Sequence, residues 1–131
     1  LGPLQISAGG LVGIDESLTG GAQAAVLDQV RPHVALYVGG MGARNKNFYN
    51  TVFQRYGYEA EAKQIQDLYL DGKKAEAAAA IPLAMVEDVA LVGPPEKIRD
   101  ELDQWRETCI TEFLVSGPAM ALPSFAELVL G

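Results

Sequence analysis

Chemically capable side chains are densest where Gly39-Gly40-Met41-Gly42 runs into Arg44, Asn45, Lys46 and Asn47. Glycines let a backbone turn sharply or approach a ligand closely. Arg, Lys and Asn offer donors to an anionic or carbonyl group. Two readings of this stretch stand side by side: a ligand-holding loop built on glycines, or a solvated loop following a glycine-capped helix.

Other chemistry is sparse. A dinucleotide fingerprint would need glycine at position 45 after Gly40 and Gly42, and Asn45 stands there; the GxxxxGK[ST] phosphate loop is absent. Asp15-Glu16 and Glu87-Asp88 read as helix-entry or loop charges, and no carboxylate has the apolar setting and partner of a general acid-base pair. A single cysteine, Cys109, excludes an internal disulfide, and a single histidine, His33, leaves no transition-metal cluster. Cys109 reads as a small packed thiol, because no histidine is local to activate it. His33 follows Pro32 and reads as a helix-end or packing residue. The tyrosines at 37, 49, 56, 58 and 69 read as core residues with hydrogen-bonded hydroxyls.

The elements that must position these groups follow from periodicity. Residues 4–14 are apolar, partly β-branched and rich in glycine, which predicts a buried strand. Ala25, Val26 and Val30 recur at helical spacing from Gly21 to Pro32, with Thr19 as N-cap. Val34 to Val38 is ambiguous between strand and helix. Helices are predicted for Phe48–Tyr56, Glu59–Asp71 and Lys73–Ala80, with a short turn at Leu83–Val86. Val89 to Val92 is a short apolar run closed by Gly93. Pro94-Pro95-Glu96 opens a helix whose stripe is Ile98, Leu102 and Trp105. Ile110–Val115 is predicted as a second buried strand ending at Ser116-Gly117-Pro118, and Ser124 with Glu127 forms a capping-box pattern that opens a last helix. The resulting order, strand, helices, strand, helix, is that of a parallel α/β fold that is mostly helical.

With 131 residues and 49% hydrophobic content, the chain can bury a core as one domain. It opens on Leu1 rather than Met, so a fragment is the expectation. A net charge of -7 argues against a nucleic-acid partner. No apolar run approaches the roughly 20 residues that span a bilayer, and no signal segment opens the chain, so a cytoplasmic protein is expected.

The stretches RPHVALYVGGMGARNKNFYNTVFQRYG, with the NFY of Asn47 to Tyr49, and LVGPPEKI, followed by a helix and the strand ending in LVSGP, resemble the carboxyl-terminal part of the luciferase-like monooxygenase family. Within it they are most similar to the branch of oxidoreductases that uses the deazaflavin coenzyme F-420. The resemblance covers about residues 4–122. It implies a fragment of a TIM (β/α)8 barrel, about the last two strand-helix units, and favours helix at Val34–Val38. It also implies hydride transfer on a small organic substrate, with F-420 as cofactor or FMN as the alternative. The family usually has glycine where Cys109 stands, and more polar residues at Leu83 and Ala84.

Placed on that scaffold, Gly42, Arg44, Lys46 and Asn47 are the candidate cofactor or substrate contacts, with Arg44 and Lys46 holding an anionic group and Asn47 donating a hydrogen bond. Ser116 and Gly117 join them at the mouth of the last strand, where barrels carry their ligands. No catalytic residue carries over, because the resemblance omits the units that grip the deazaflavin ring, so the isolated chain is expected to be inactive. A non-enzymatic oligomerising module remains the alternative class. The two predicted strands would pair and leave one edge each, with Ile6, Leu11, Val12, Ile110, Phe113 and Val115 on an uncovered face, so a homo-oligomer is expected.

Overall fold

The computed structural model describes residues 2–131. In chain order the elements are β1 (Ser7–Ile14), α1 (Gly20–Asp28), α2 (Arg31–Ala35) continuing into a π turn (Leu36–Gly40), α3 (Phe48–Arg55), α4 (Glu59–Leu70), α5 (Lys74–Ala79), α6 (Leu83–Glu87), β2 (Ala90–Gly93), α7 (Pro95–Arg106), β3 (Glu112–Ser116) and α8 (Ala121–Leu130). They form two compact units: residues up to Val26 with Val89–Gly131, and Leu27–Asp88.

The first unit is an α/β layer. Its three parallel strands run in the order β2-β1-β3, with Val12 opposite Leu91 and Gly10 opposite Val115. Side chains alternate across a strand, so Val12, Leu91, Phe113 and Val115 share the face covered by α7 and α8. There they meet Ile98, Leu102 and Phe125, with Trp105 packed at the margin. On α7 the buried positions fall at i and i+4, and Trp105 at i+7 completes the stripe. The second unit is helical. Val34, Ala35, Val38, Phe53, Ala62, Ile65, Ala77, Met85 and Val86 are all buried in it.

Several expectations need correcting. The run at Val89 to Val92, given no strand by its sequence, holds strand β2; all four of its residues are buried, which erases the alternation that marks a half-exposed strand. Strand β1 consequently has neighbours on both sides, and the free edges belong to β2 and β3 instead. Helix α8 starts at Ala121 with no side-chain cap, not at Ser124. A turn in which Ala121 N–H donates to Pro118 C=O feeds it, and Pro123 is tolerated in the first turn, where its missing N–H would have no partner. Cys109 is exposed, since it lies in the link between α7 and β3 rather than in either packed element. Tyr49 and Tyr56 are also exposed.

Candidate functional site

The glycine-rich stretch folds as the end of a helix that widens. After α2, Leu36–Gly40 form a π turn, which brings Gly39 and Gly40 onto the side chain of Tyr69 in α4. A Cβ on Gly39 would lie 2.5 Å from the Tyr69 Cβ, and one on Gly40 would lie 2.5 Å from the Tyr69 Cε1. These two glycines serve helix packing. Gly42 has a different reason: at φ +143° its missing Cβ leaves room for the Lys46 carbonyl, which would otherwise be 2.5 Å away. The loop from Gly42 to Lys46 thus closes on itself, helped by Lys46 N–H donating to Ala43 C=O at 2.9 Å.

Asparagines anchor that loop. The last carbonyls of a helix lack partners within it, and here the Asn47 Nδ2 donates to Tyr37 C=O at 2.9 Å and to Val38 C=O at 3.0 Å. Asn47 Oδ1 accepts from Asn50 N–H at 3.0 Å, capping α3. Asn50 Nδ2 adds bonds to Val38 C=O at 3.0 Å and Ala62 C=O at 2.8 Å. Both asparagines are only 3% exposed. Since both N–H groups of Asn47 are engaged inside the fold, we assign it to shaping the loop, in place of the ligand hydrogen bond expected of it.

The charged tip divides. Arg44 Nη1 pairs with Asp67 Oδ1, and Lys63 Nζ holds the other carboxylate oxygen at 2.6 Å. Lys46 is exposed, and no carboxylate among the described residues pairs with it. Beside the tip runs a series of tilted and edge-on ring contacts: His33 with Tyr37 and Tyr37 with Tyr49, each 4.6 Å between centroids, then Phe48 with Tyr49 at 5.6 Å. His33 is exposed in the last turn of α2, with its ring against Tyr37. Phe48 is 71% exposed, and Met41 is exposed with it.

Ser116 and Gly117 belong to the other unit. They end β3 at the carboxyl side of the sheet, and a Cβ on Gly117 would lie 2.4 Å from Val12 C=O, so the chain leaves β3 pressed against β1. Central β1 flanked by β2 and β3 is the strand order of open sheets whose ligands sit at the carboxyl ends where the order reverses. At the same end Asp15 N–H donates to Gly93 C=O at 3.3 Å, and Asp15 Oδ1 accepts from the Ser17 hydroxyl and N–H. Those bonds hold the Asp15 carboxyl below its ordinary range. A cavity of about 180 Å³ lined by Leu102, Trp105, Ile110, Phe113 and Val129 lies at the opposite, amino-terminal end of β3.

Among the described residues no cluster of His, Cys, Asp and Glu could hold a metal ion, and no helix is long and apolar enough to cross a membrane. The family model for luciferase-like monooxygenases matches residues 18–112. The chain belongs to the luciferase-like monooxygenase family. That match includes the whole loop from Gly42 to Asn47 and stops before Ser116 and Gly117. A Mycobacterium tuberculosis protein with the provisional name of coenzyme F-420-dependent oxidoreductase is 35% identical over 108 residues, which are 82% of this chain and 31% of that protein. The chain therefore spans about a third of the length of the curated relative it matches. No solved structure matches it.

Two residues of the loop's support escape sequence reading. Asn50 follows Asn47 at the spacing of a capping box, with amides in both places, and that spacing was a usable signal. Asp67, 23 positions from Arg44, had none.

Proposed function

We propose that this chain is the carboxyl-terminal part of a deazaflavin-dependent oxidoreductase that transfers hydride between coenzyme F-420 and a small organic substrate. The observation that carries the reading is the luciferase-like family match together with 35% identity to the F-420-dependent relative. When bound, the coenzyme supplies the hydride chemistry and the protein supplies orientation and electrostatics. Parallel strands each followed by a helix are the unit from which a (β/α)8 barrel is built, but their order here departs from a barrel's. Consecutive strands are neighbours in such a barrel, so β3 would there lie beside β2, whereas in this chain it lies beside β1.

The loop suits an anionic group of the coenzyme or substrate. Lys46 offers an exposed ammonium without a carboxylate partner, and Arg44 keeps donors beyond the one given to Asp67. Gly42 lets the loop close so that both cations project from one short segment. Ser116 and Gly117 are proposed as polar backbone and hydroxyl contacts at the carboxyl end of β3.

Titration of the chain with F-420, followed by absorbance, tests this, with FMN titrated in parallel to separate the two cofactors. A charge-assisted hydrogen bond is worth about 1.5–3 kcal/mol, so Lys46→Ala should weaken F-420 binding roughly tenfold or more. Equal binding by wild type and Lys46→Ala would assign the loop to packing, and tighter binding of FMN would move the proposal to a flavin-using parent.

A further inference from the structure

The ion pair between Arg44 and Asp67 is not what gives the loop its shape. Gly42 lies against the Lys46 carbonyl, Lys46 N–H donates to Ala43 C=O, and the Asn47 amide donates to the carbonyls of Tyr37 and Val38. Nor does the pair carry the attachment to α4. Asn50 Nδ2 donates to Ala62 C=O at 2.8 Å, and Gly39 and Gly40 lie against Tyr69. The Arg44 and Asp67 side chains are 55% and 38% exposed, a setting in which an ion pair contributes little to stability. Arg44 is therefore able to leave Asp67 while the loop backbone stays in place.

Asp67 has a second partner of a different kind. Lys63 stands four residues before it on α4, about one helical turn away, and the Lys63 Nζ lies 2.6 Å from Asp67 Oδ2 while Arg44 Nη1 meets Oδ1. Losing Arg44 thus leaves the carboxylate beside a cation of its own helix, one that does not depend on the loop. Arg44 is in the reverse position. Among the described residues it has no ion pair besides Asp67, so once released it needs another anion.

We propose that Asp67 is an internal competitor for Arg44: it holds the guanidinium while the loop is empty and yields it to an anionic group of the coenzyme, keeping Lys63 as its own counter-ion. The inference rests on the anion-holding reading of the loop and adds what sets its affinity. A guanidinium holds an oxyanion best through two parallel N–H groups, and Asp67 occupies Nη1, so part of that fork is closed until the exchange takes place. The sign of the effect separates a competitor from a support. Removing a residue that props Arg44 in its binding position weakens the ligand, whereas removing a competitor strengthens it.

Absorbance titration of the 131-residue chain with F-420 tests the exchange, comparing wild type with Asp67→Asn, Arg44→Ala and the double variant. Asp67→Asn keeps the shape of the side chain and removes its charge. It should tighten F-420 binding about two- to fivefold, and the gain should vanish where Arg44 is already alanine. Asp67→Ala, which removes the acceptor as well, should show the same pattern. Weaker binding by Asp67→Asn overturns the proposal, because Asp67 would then be positioning Arg44. An equal gain with and without Arg44 also overturns it, since the cause would be the field of one removed charge. Binding that needs Lys46 and Arg44 but is the same in wild type and Asp67→Asn overturns the exchange and leaves the loop reading standing. Binding of F-420 that is absent, or indifferent to both Lys46→Ala and Arg44→Ala, overturns the loop reading and this proposal with it.

Discussion

The Asn50 amide donates to Val38 and Ala62 carbonyls while its oxygen accepts from Gln54 Nε2 at 2.6 Å, so one side chain ties the π turn to α4 from the first turn of α3. Removing it takes away three hydrogen bonds while Val38 C=O keeps its Asn47 donor, at roughly 0.5–1.5 kcal/mol each. We expect Asn50→Ala to cost about 2–4 kcal/mol in urea unfolding, and exposed Asn45→Ala to change stability by less than about 0.5 kcal/mol. Tyr58 is a second residue with a defined test. Its hydroxyl donates to Asp88 Oδ2 at 2.7 Å. That bond, with some burial and nearby carboxylates, pushes its pKa from 10.0 up to about 12. A raised folded pKa means that the contribution is complete below about pH 10 and is lost as pH rises toward 12. Tyr58→Phe should therefore differ from wild type in unfolding free energy at pH 9 and converge with it near pH 12. A constant difference across that window would dissociate the bond from stability.

Among the elements, the contact between the π turn and α4 depends on two glycines for separable reasons. At Gly40 the obstacle to a Cβ is the Tyr69 ring, whereas at Gly39 it is the Tyr69 Cβ, with Ile65 C=O at 3.3 Å behind it. Overpacking of this kind costs about 1–3 kcal/mol. We expect Gly39→Ala and Gly40→Ala both to lower the unfolding midpoint. Tyr69→Ala should relieve the Gly40→Ala penalty and leave most of the Gly39→Ala penalty in place. A double-mutant cycle measures this, and equal coupling at both positions would contradict the geometry. Sequence periodicity found the helices on each side of this contact, because their apolar faces repeat locally. It did not find the π turn, whose glycines lie against a tyrosine some 30 residues away.

For the whole molecule, the proposed cation-bearing loop and the carboxyl end of β3 are described in separate units, and the chain matches 31% of its relative. A catalytic site must exclude water around the reacting atoms. We expect the 131-residue chain, mixed with F-420 and candidate substrates, to show no turnover approaching the order of 1 per second. Turnover at that rate, measured by the F-420 absorbance, would show that the chain assembles a complete site alone.

What the residues determined by themselves was local or familial: the helices with clear apolar stripes, the two longer strands, and the luciferase-like family that ALYVGGMG and LVGPPEKI pointed to. Those signals survive without coordinates because periodicity, caps and motif spacing are written within a few turns of chain. Tertiary structure alone decided that β1 is central, that Val89–Val92 holds strand β2, and that Arg44 faces Asp67 while Lys46 stays unpaired by a carboxylate. It also decided that two of the glycines serve Tyr69 and that Asn47 belongs to the loop's frame. Each of these depends on groups distant in sequence meeting in space, where close approach and hydrogen-bond competition, not local propensity, set the outcome.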